Sequence, residues 1–243
     1  MSFHKICFLT LVISATLFSK GMPKEYFEIK DRKKSKEYFF EYIYELSKNE
    51  NEKILQERNF VKTILSSNIL HIDTNSQSFL RLLEIKKKYR VKKLYDLTSY
   101  MKKIDTIPPA LALAQAAVES GWGRSRFVKI ANNIFGHWTY NPNIGIVPEQ
   151  RDEDAKHLIR VFKSLQGSIS AYMLNLNRNS AYKEFQEKRY QISLDNKQNI
   201  GLELSQTIVN YSGIGKEYLS ILKMVIENNK LEQYDKRFYQ QLK

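Results

Sequence analysis

Ala114-Gln-Ala-Ala-Val-Glu-Ser-Gly-Trp-Gly-Arg-Ser-Arg-Phe127 places small residues along a helical stretch that stops on a carboxylate. Leu111, Ala114 and Val118 recur at i, i+3 and i+7, one buried stripe of a helix. Glu119 flanks that stripe, at the border between core and cleft. Gly121 follows as a C-terminal cap and Trp122 as a large apolar neighbour. The C-terminal end of a helix repels negative charge, and an apolar wall disfavours the ionised form. Both raise the pKa of Glu119, which is what a general acid near neutral pH requires. The competing reading is a surface glutamate in an ion pair. Ser120 has neither a paired histidine nor a strand–turn–helix setting that would make it a nucleophile; it is read as a capping or supporting hydroxyl.

Working outward, Thr106-Ile-Pro-Pro109 is a helix-start signal, with prolines tolerated in the first turn. Upstream, residues 24–50 and 51–68 carry apolar residues at helical spacing (Tyr38, Tyr42, Leu46; Ile54, Val61, Leu65) and read as two helices with polar outer faces. Residues 79–89 and 94–104 read as two more. The window 108–148 holds both tryptophans, four of the five prolines and four of the nine glycines. Irregular chain and short strands are therefore expected from Phe135 to about Phe162, with 158–162 the clearest strand. The helical period returns after Ser164, where Ile169, Tyr172, Met173 and Leu176 share a face. Further helices are read at 202–211 and 218–228, then a short tail from Asp235.

Hydrophobic content of 42% and charged content of 27% fit a globular chain, and 243 residues suffice for one good core. The formal net charge of +13 suits an anionic polymer or simply a solvated lysine-rich surface. No nucleic-acid module is legible: there is no zinc-finger spacing, no aromatic sheet signature and no basic recognition helix. Residues 1–21 read as a secretory signal, with Lys5 as the positive start and an apolar run of thirteen residues from Ile6 to Phe18. That run is short for a membrane span. A retained anchor is the rival reading. Cys7 lies inside the run, so the chain beyond it has no cysteine, which excludes disulfides and thiol catalysis there.

Pro108-Pro-Ala-Leu-Ala-Leu-Ala-Gln-Ala-Ala-Val-Glu-Ser-Gly-Trp-Gly123, followed by Asn132-Asn-Ile-Phe-Gly136, resembles the glucosaminidase domain of bacterial glycoside hydrolase family 73 (mannosyl-glycoprotein endo-beta-N-acetylglucosaminidase-like), and within it the Bax-type branch. Gly145-Ile-Val-Pro148, Arg151, His157 and Ala171-Tyr-Met-Leu-Asn-Leu-Asn177 fit the same branch, over about residues 85–230. The resemblance implies a mainly α (α+β) fold: a lysozyme-like helical domain with a small β-containing lobe, preceded by N-terminal helices. The corresponding division is a signal at 1–21, a helical extension at 22–80, the glucosaminidase domain at 81–232 and a tail at 233–243.

The resemblance also implies site residues. Asn133, Phe135 and Gly136 would line a sugar cleft; asparagines at such a turn also commonly bond the local backbone. Tyr211, in Asn210-Tyr-Ser-Gly213, matches a family tyrosine near the reacting sugar, although the family has glycine where Asn210 stands. Tyr218 matches the next one. The family pattern puts a second acid in the strand lobe, where Glu149, Asp152, Glu153 and Asp154 are available. Glu149 is the first choice, and the substrate's own 2-acetamido group is an alternative. Trp122 and Trp138 are candidates for stacking on sugar rings, with Trp122 read as packing behind Glu119. His4, His71, His137 and His157 show no metal-ligand spacing, so no metal or cofactor is expected.

The reading that follows is a secreted monomeric peptidoglycan hydrolase of the periplasm or cell envelope. It would act on glycan strands, with no nucleic-acid partner and no stable membrane insertion once the signal is removed. It would cleave the β-1,4 bond after N-acetylglucosamine, with Glu119 as general acid. The alternatives are a lytic transglycosylase or lysozyme acting at the N-acetylmuramic acid bond, and a non-catalytic wall-binding adaptor.

Overall fold

The computed structural model describes residues 21–66, 73–149, 156–192 and 200–242. The secretory segment read at 1–21 lies outside them except for Gly21, as do His71, Arg151, Asp152, Glu153 and Asp154.

The chain runs α1 (Lys24–Glu28), α2 (Arg32–Ser66), α3 (Gln77–Lys88), α4 (Leu97–Lys103), α5 (Pro109–Ser120) and α6 (Arg126–Ala131). It then passes through a small lobe of β1 (Trp138–Thr139), β2 (Gly145–Ile146) and β3 (Leu158–Arg160). It closes with α7 (Leu165–Arg178), α8 (Lys183–Ile192), α9 (Ile200–Ser205), α10 (Lys216–Asn228) and α11 (Glu232–Gln240). The sheet is antiparallel in the order β1-β3-β2, with Trp138 opposite Ile159 and Gly145 opposite Arg160. This is a mainly α, lysozyme-like domain with a minor β lobe.

Helix α5 is the axis of the fold. Every residue from Pro109 to Ala117 is buried, and only Val118 and Glu119 near its end are partly open. Its alanines keep its girth small, so α2, α9, α10 and α11 all pack on it. A Cβ on Gly201 of α9 would lie 2.7 Å from the Ala110 Cβ, which shows how closely those backbones approach. The start of α5 has no local side-chain cap. The cap arrives from α11 instead. Buried Asp235 accepts the Ala110 N–H on Oδ1 at 2.8 Å and the Gly201 N–H on Oδ2 at 2.7 Å. A carboxyl group at a helix N-terminus satisfies an orphan donor with its acceptor oxygens.

After the short α1, residues 32–66 form one long helix, where the sequence reads two at 24–50 and 51–68. Asn51, where the second of those two helices would begin, is fully buried. Its Nδ2 donates to the Ile107 carbonyl and its Oδ1 accepts the Ile107 N–H, both at 2.8 Å. Pairing both amide groups removes the cost of burying a polar side chain in mid-helix. Phe39, Phe40, Ile43, Tyr44, Ile54 and Val61 of α2 belong to the same hydrophobic core as α5 and α7. The segment read as a tail is largely α11, whose Tyr234 and Phe238 are buried in that core. Helix α8 carries few apolar residues. Its burial of Gln186 and Arg189 is a tertiary feature: Arg189 Nη1 donates to Asn177 Oδ1 at 2.7 Å and Gln186 Nε2 to the Leu176 carbonyl at 2.8 Å.

Candidate active site

Glu119 occupies the last turn of α5. Gly121, at φ +53°, is the left-handed cap that ends the helix. The Ser120 hydroxyl donates back to the Ala116 carbonyl and accepts the Gly123 N–H at 2.7 Å, so it fastens the turn beneath Glu119.

Trp122 continues the turn at φ +60°, an unfavourable region for a bulky residue. It is held there by the N-terminal helices. The Tyr26 hydroxyl donates to the Trp122 carbonyl at 2.6 Å. Phe39 and Phe40 pack edge-on against the indole, with ring centroids at 5.8 and 5.1 Å. Lys36 Nζ sits 4.3 Å from the indole centroid. The ring contacts of Trp122 are therefore with α2. What surrounds Glu119 is a set of tyrosines.

The Tyr218 hydroxyl, from α10, donates to Glu119 Oε1 at 2.6 Å. The same hydroxyl accepts from Gln115 Nε2 at 3.0 Å, and Gln115 Oε1 accepts from the Tyr172 hydroxyl at 2.6 Å. The polarity of this chain is fixed. With its oxygen facing the Gln115 N–H, Tyr218 directs its proton at Glu119, so Oε1 is an acceptor. A proton on the carboxyl group then belongs on Oε2. Burial holds the Glu119 carboxyl above the usual carboxylate range, while the Tyr218 hydrogen bond acts in the opposite direction. Burial also keeps Tyr218, Tyr172 and Tyr211 well above the usual phenol range, so all three are neutral hydroxyls at physiological pH.

Tyr211 is half-buried and stacks parallel on Tyr218, centroids 5.7 Å apart. It meets Tyr172 edge-on at 6.2 Å, and Phe135 stacks on Tyr172 at 3.9 Å. Phe135, Tyr172, Tyr211 and Tyr218 thus form one aromatic run that leads to Glu119.

The remaining candidates are dispersed. Asn133 is buried with its amide spent on the backbone: Nδ2 donates to the His137 and Arg160 carbonyls at 2.8 and 2.9 Å, and Oδ1 accepts the His137 N–H at 2.9 Å. It ties the β lobe to the loop after α6. Gly136 is exposed at φ +68°, and a Cβ there would meet open space. Trp138 is 62% exposed and stacks on His157 at 4.1 Å. Glu149 is exposed and pairs with Arg126 at 2.7 Å; among the described residues no bond or shared partner joins it to Glu119. Burial and the nearby Arg160 push His137 down to about 4. Among the described residues no group of three or more His, Cys, Asp or Glu is placed to hold a metal.

Two members of the site were not singled out by sequence. Gln115 precedes Glu119 by four residues on the same helical face, and a glutamine inside an alanine-rich helix was the signal. Tyr172 reads as part of an apolar face and of the Ala171–Asn177 stretch, with no role at the site.

Chemically, the arrangement offers a carboxyl group that burial makes harder to ionise, held on one oxygen by Tyr218, beside neutral phenols and aromatic faces. That is the equipment for protonating a leaving oxygen on a sugar.

Comparison with known proteins agrees. Residues 95–231 match the family model "Glucosaminidase: Mannosyl-glycoprotein endo-beta-N-acetylglucosaminidase". The chain is similar to Protein bax of Escherichia coli (strain K12), at 29% identity over 154 residues, which is 61% of this chain and 54% of that protein. The chain thus spans about half the length of that relative. No solved structure matches it. With Glu119, Gln115, Tyr172, Tyr211 and Tyr218 all inside the matched stretch, the chain belongs to the glucosaminidase family of glycoside hydrolases, in its Bax-type branch.

Proposed function

We propose that this protein is exported to the cell envelope and hydrolyses peptidoglycan there, cutting the β-1,4 bond on the reducing side of N-acetylglucosamine. Glu119 Oε2 donates its proton to the leaving oxygen as the C1–O bond breaks. The observation that carries this reading is the Tyr218–Glu119 bond at 2.6 Å on a carboxyl whose pKa burial raises. A hydrogen bond to Oε1 orients the acid and leaves the other oxygen to act.

The positive charge that develops at C1 needs a partner. Glu149 is engaged with Arg126 on the surface, whereas Tyr211 lies against the Tyr218 ring. These placements favour the substrate's own 2-acetamido oxygen as the group that bonds to C1, with the Tyr211 hydroxyl orienting it. Water then attacks C1, the C1–acetamido bond breaks, and the Glu119 carboxylate takes up the proton that the water loses. The result is retention at C1.

The test is product analysis of purified peptidoglycan digested by the wild type and by Glu119→Gln. A new reducing-end N-acetylglucosamine, absent with the variant, supports the reading. An anhydro sugar or a reducing-end N-acetylmuramic acid assigns the other glycosidic bond. Equal lysis by both proteins removes Glu119 from the chemistry.

A further inference from the structure

A concavity lies away from Glu119, between α2, α3, α7 and β3. Its volume is about 320 Å³, and Glu50, Lys88, Tyr89, Arg160, Ser170 and Arg178 are among the residues that line it. Two of its charges are already matched. Lys88 Nζ binds both oxygens of Glu57, at 2.8 and 2.9 Å. Glu50 accepts the Ser170 hydroxyl at 2.6 Å and pairs with Lys53 at 3.6 Å.

Arg160 and Arg178 are different. Among the described residues, neither guanidinium takes part in an ion pair. Arg160 lies over the Phe162 ring, 4.6 Å from its centroid. Arg178 is half-buried, and its guanidinium is held below the usual arginine range by burial and then by the charges of Arg90 and Arg160. The Lys103 ammonium adds a further positive charge at the end of α7, where it binds the Tyr89, Arg90 and Arg178 carbonyls at 3.1, 3.1 and 3.3 Å. Like charges gathered round a hollow repel one another, and an anion placed between them relieves that repulsion. Two planar guanidinium forks suit an oxyanion in particular.

We propose that this cavity binds a carboxylate of the peptide carried by the glycan strand, with Arg160 and Arg178 as its ligands. The proposal rests on the peptidoglycan reading of the Glu119 site and deepens it. The two sites share elements. Helix α7 carries Tyr172 toward Glu119 and Arg178 toward the cavity, six residues apart, about 9 Å along the helix axis. The Arg160 carbonyl is bonded to Asn133 at 2.9 Å, in the loop that also carries Phe135. A cavity of this size takes an amino-acid appendage and is too small for a polysaccharide chain. The sugar would thus lie along the aromatic run while its acidic peptide turns into the basic hollow.

The experiment is calorimetric titration of the full chain with the free, sugar-less stem tetrapeptide, which requires no turnover. The expected result is one saturable site whose affinity falls about tenfold or more in Arg178→Gln, with Arg160→Gln as the second variant should the first melt early. No binding, or binding that survives both substitutions in folded protein, overturns the proposal. Inorganic phosphate is titrated separately: phosphate binding at least as tightly as the peptide overturns the carboxylate assignment. Failure of the glycosidase reading is distinguishable, since it appears in the digestion products and leaves the tetrapeptide titration unaffected.

Discussion

Tyr218 and Glu119, from helices α10 and α5, are joined by a hydrogen bond of 2.6 Å whose direction is set by Gln115 behind it. The bond favours the ionised carboxylate and so opposes the burial that raises the Glu119 pKa. Tyr218→Phe removes the opposing influence. The basic limb of the kcat/KM profile is expected to move to higher pH in the variant, while kcat falls because the acid loses its orientation. A limb that stays in place would separate Tyr218 from the acid.

Glu119→Gln is expected to lower turnover roughly 100- to 10,000-fold, the range for loss of a general acid. Stability should respond in the opposite sense. A carboxyl whose folded pKa is raised gives stability that is present below its unfolded pKa and lost as pH rises through the folded value. Glutamine has no such loss. The melting temperature of the variant relative to wild type should therefore rise as pH climbs above the ordinary glutamate range, as calorimetry at a series of pH values would record.

Asp235 gives a second pH dependence. Burial, opposed by its two N–H bonds, pushes its carboxyl up to about 7. Stability from this group is greatest in acid and declines as pH rises from about 4 through 7. Asp235→Ala strands the Ala110 and Gly201 N–H groups, at roughly 1–3 kcal/mol for each buried donor. In denaturant titrations the margin of wild type over Asp235→Ala should be widest at low pH and narrow toward neutrality. A margin that widened with pH would show that the carboxylate form is the one built into the fold.

Trp122 tests whether α2 braces the turn after Glu119. Losing the half-buried indole from Phe39 and Phe40 should cost about 2–3 kcal/mol, below the range for a fully buried aromatic. Backbone conformation adds a finer signature. Alanine keeps the cost of φ +60° and glycine does not, so Trp122→Gly should be more stable than Trp122→Ala by about 1 kcal/mol. Tyr26→Phe, which removes the hydrogen bond to the Trp122 carbonyl, should cost about 1 kcal/mol and lower activity without touching substrate. Equal stability of the glycine and alanine variants would mean that the turn relaxes freely.

Much of this was legible in the sequence because it is local. The alanine spacing, the paired prolines and Gly121 give α5 and its ends, and the concentration of glycine, proline and aromatics after it gives the β lobe. What escaped the sequence depends on partners far along the chain. Asn51 reads as the start of a second helix, yet it lies inside the core in the middle of α2 because Ile107 satisfies its amide. The aromatic partners of Trp122, Phe39 and Phe40, lie far upstream on α2 and left no mark in the local spacing. Tyr218 was carried in by resemblance alone, while the Gln115–Tyr172 pair that orders its proton left only one trace, a glutamine four residues before Glu119.

The measurement that bears hardest on the mechanism is the carboxyl carbon shift of Glu119, followed by NMR as a function of pH in the folded protein. A titration midpoint above the ordinary glutamate range, moving higher still in Tyr218→Phe, is the expected result. A midpoint at or below that range, or one that Tyr218→Phe leaves unmoved, would contradict a buried acid that holds its proton for the leaving oxygen.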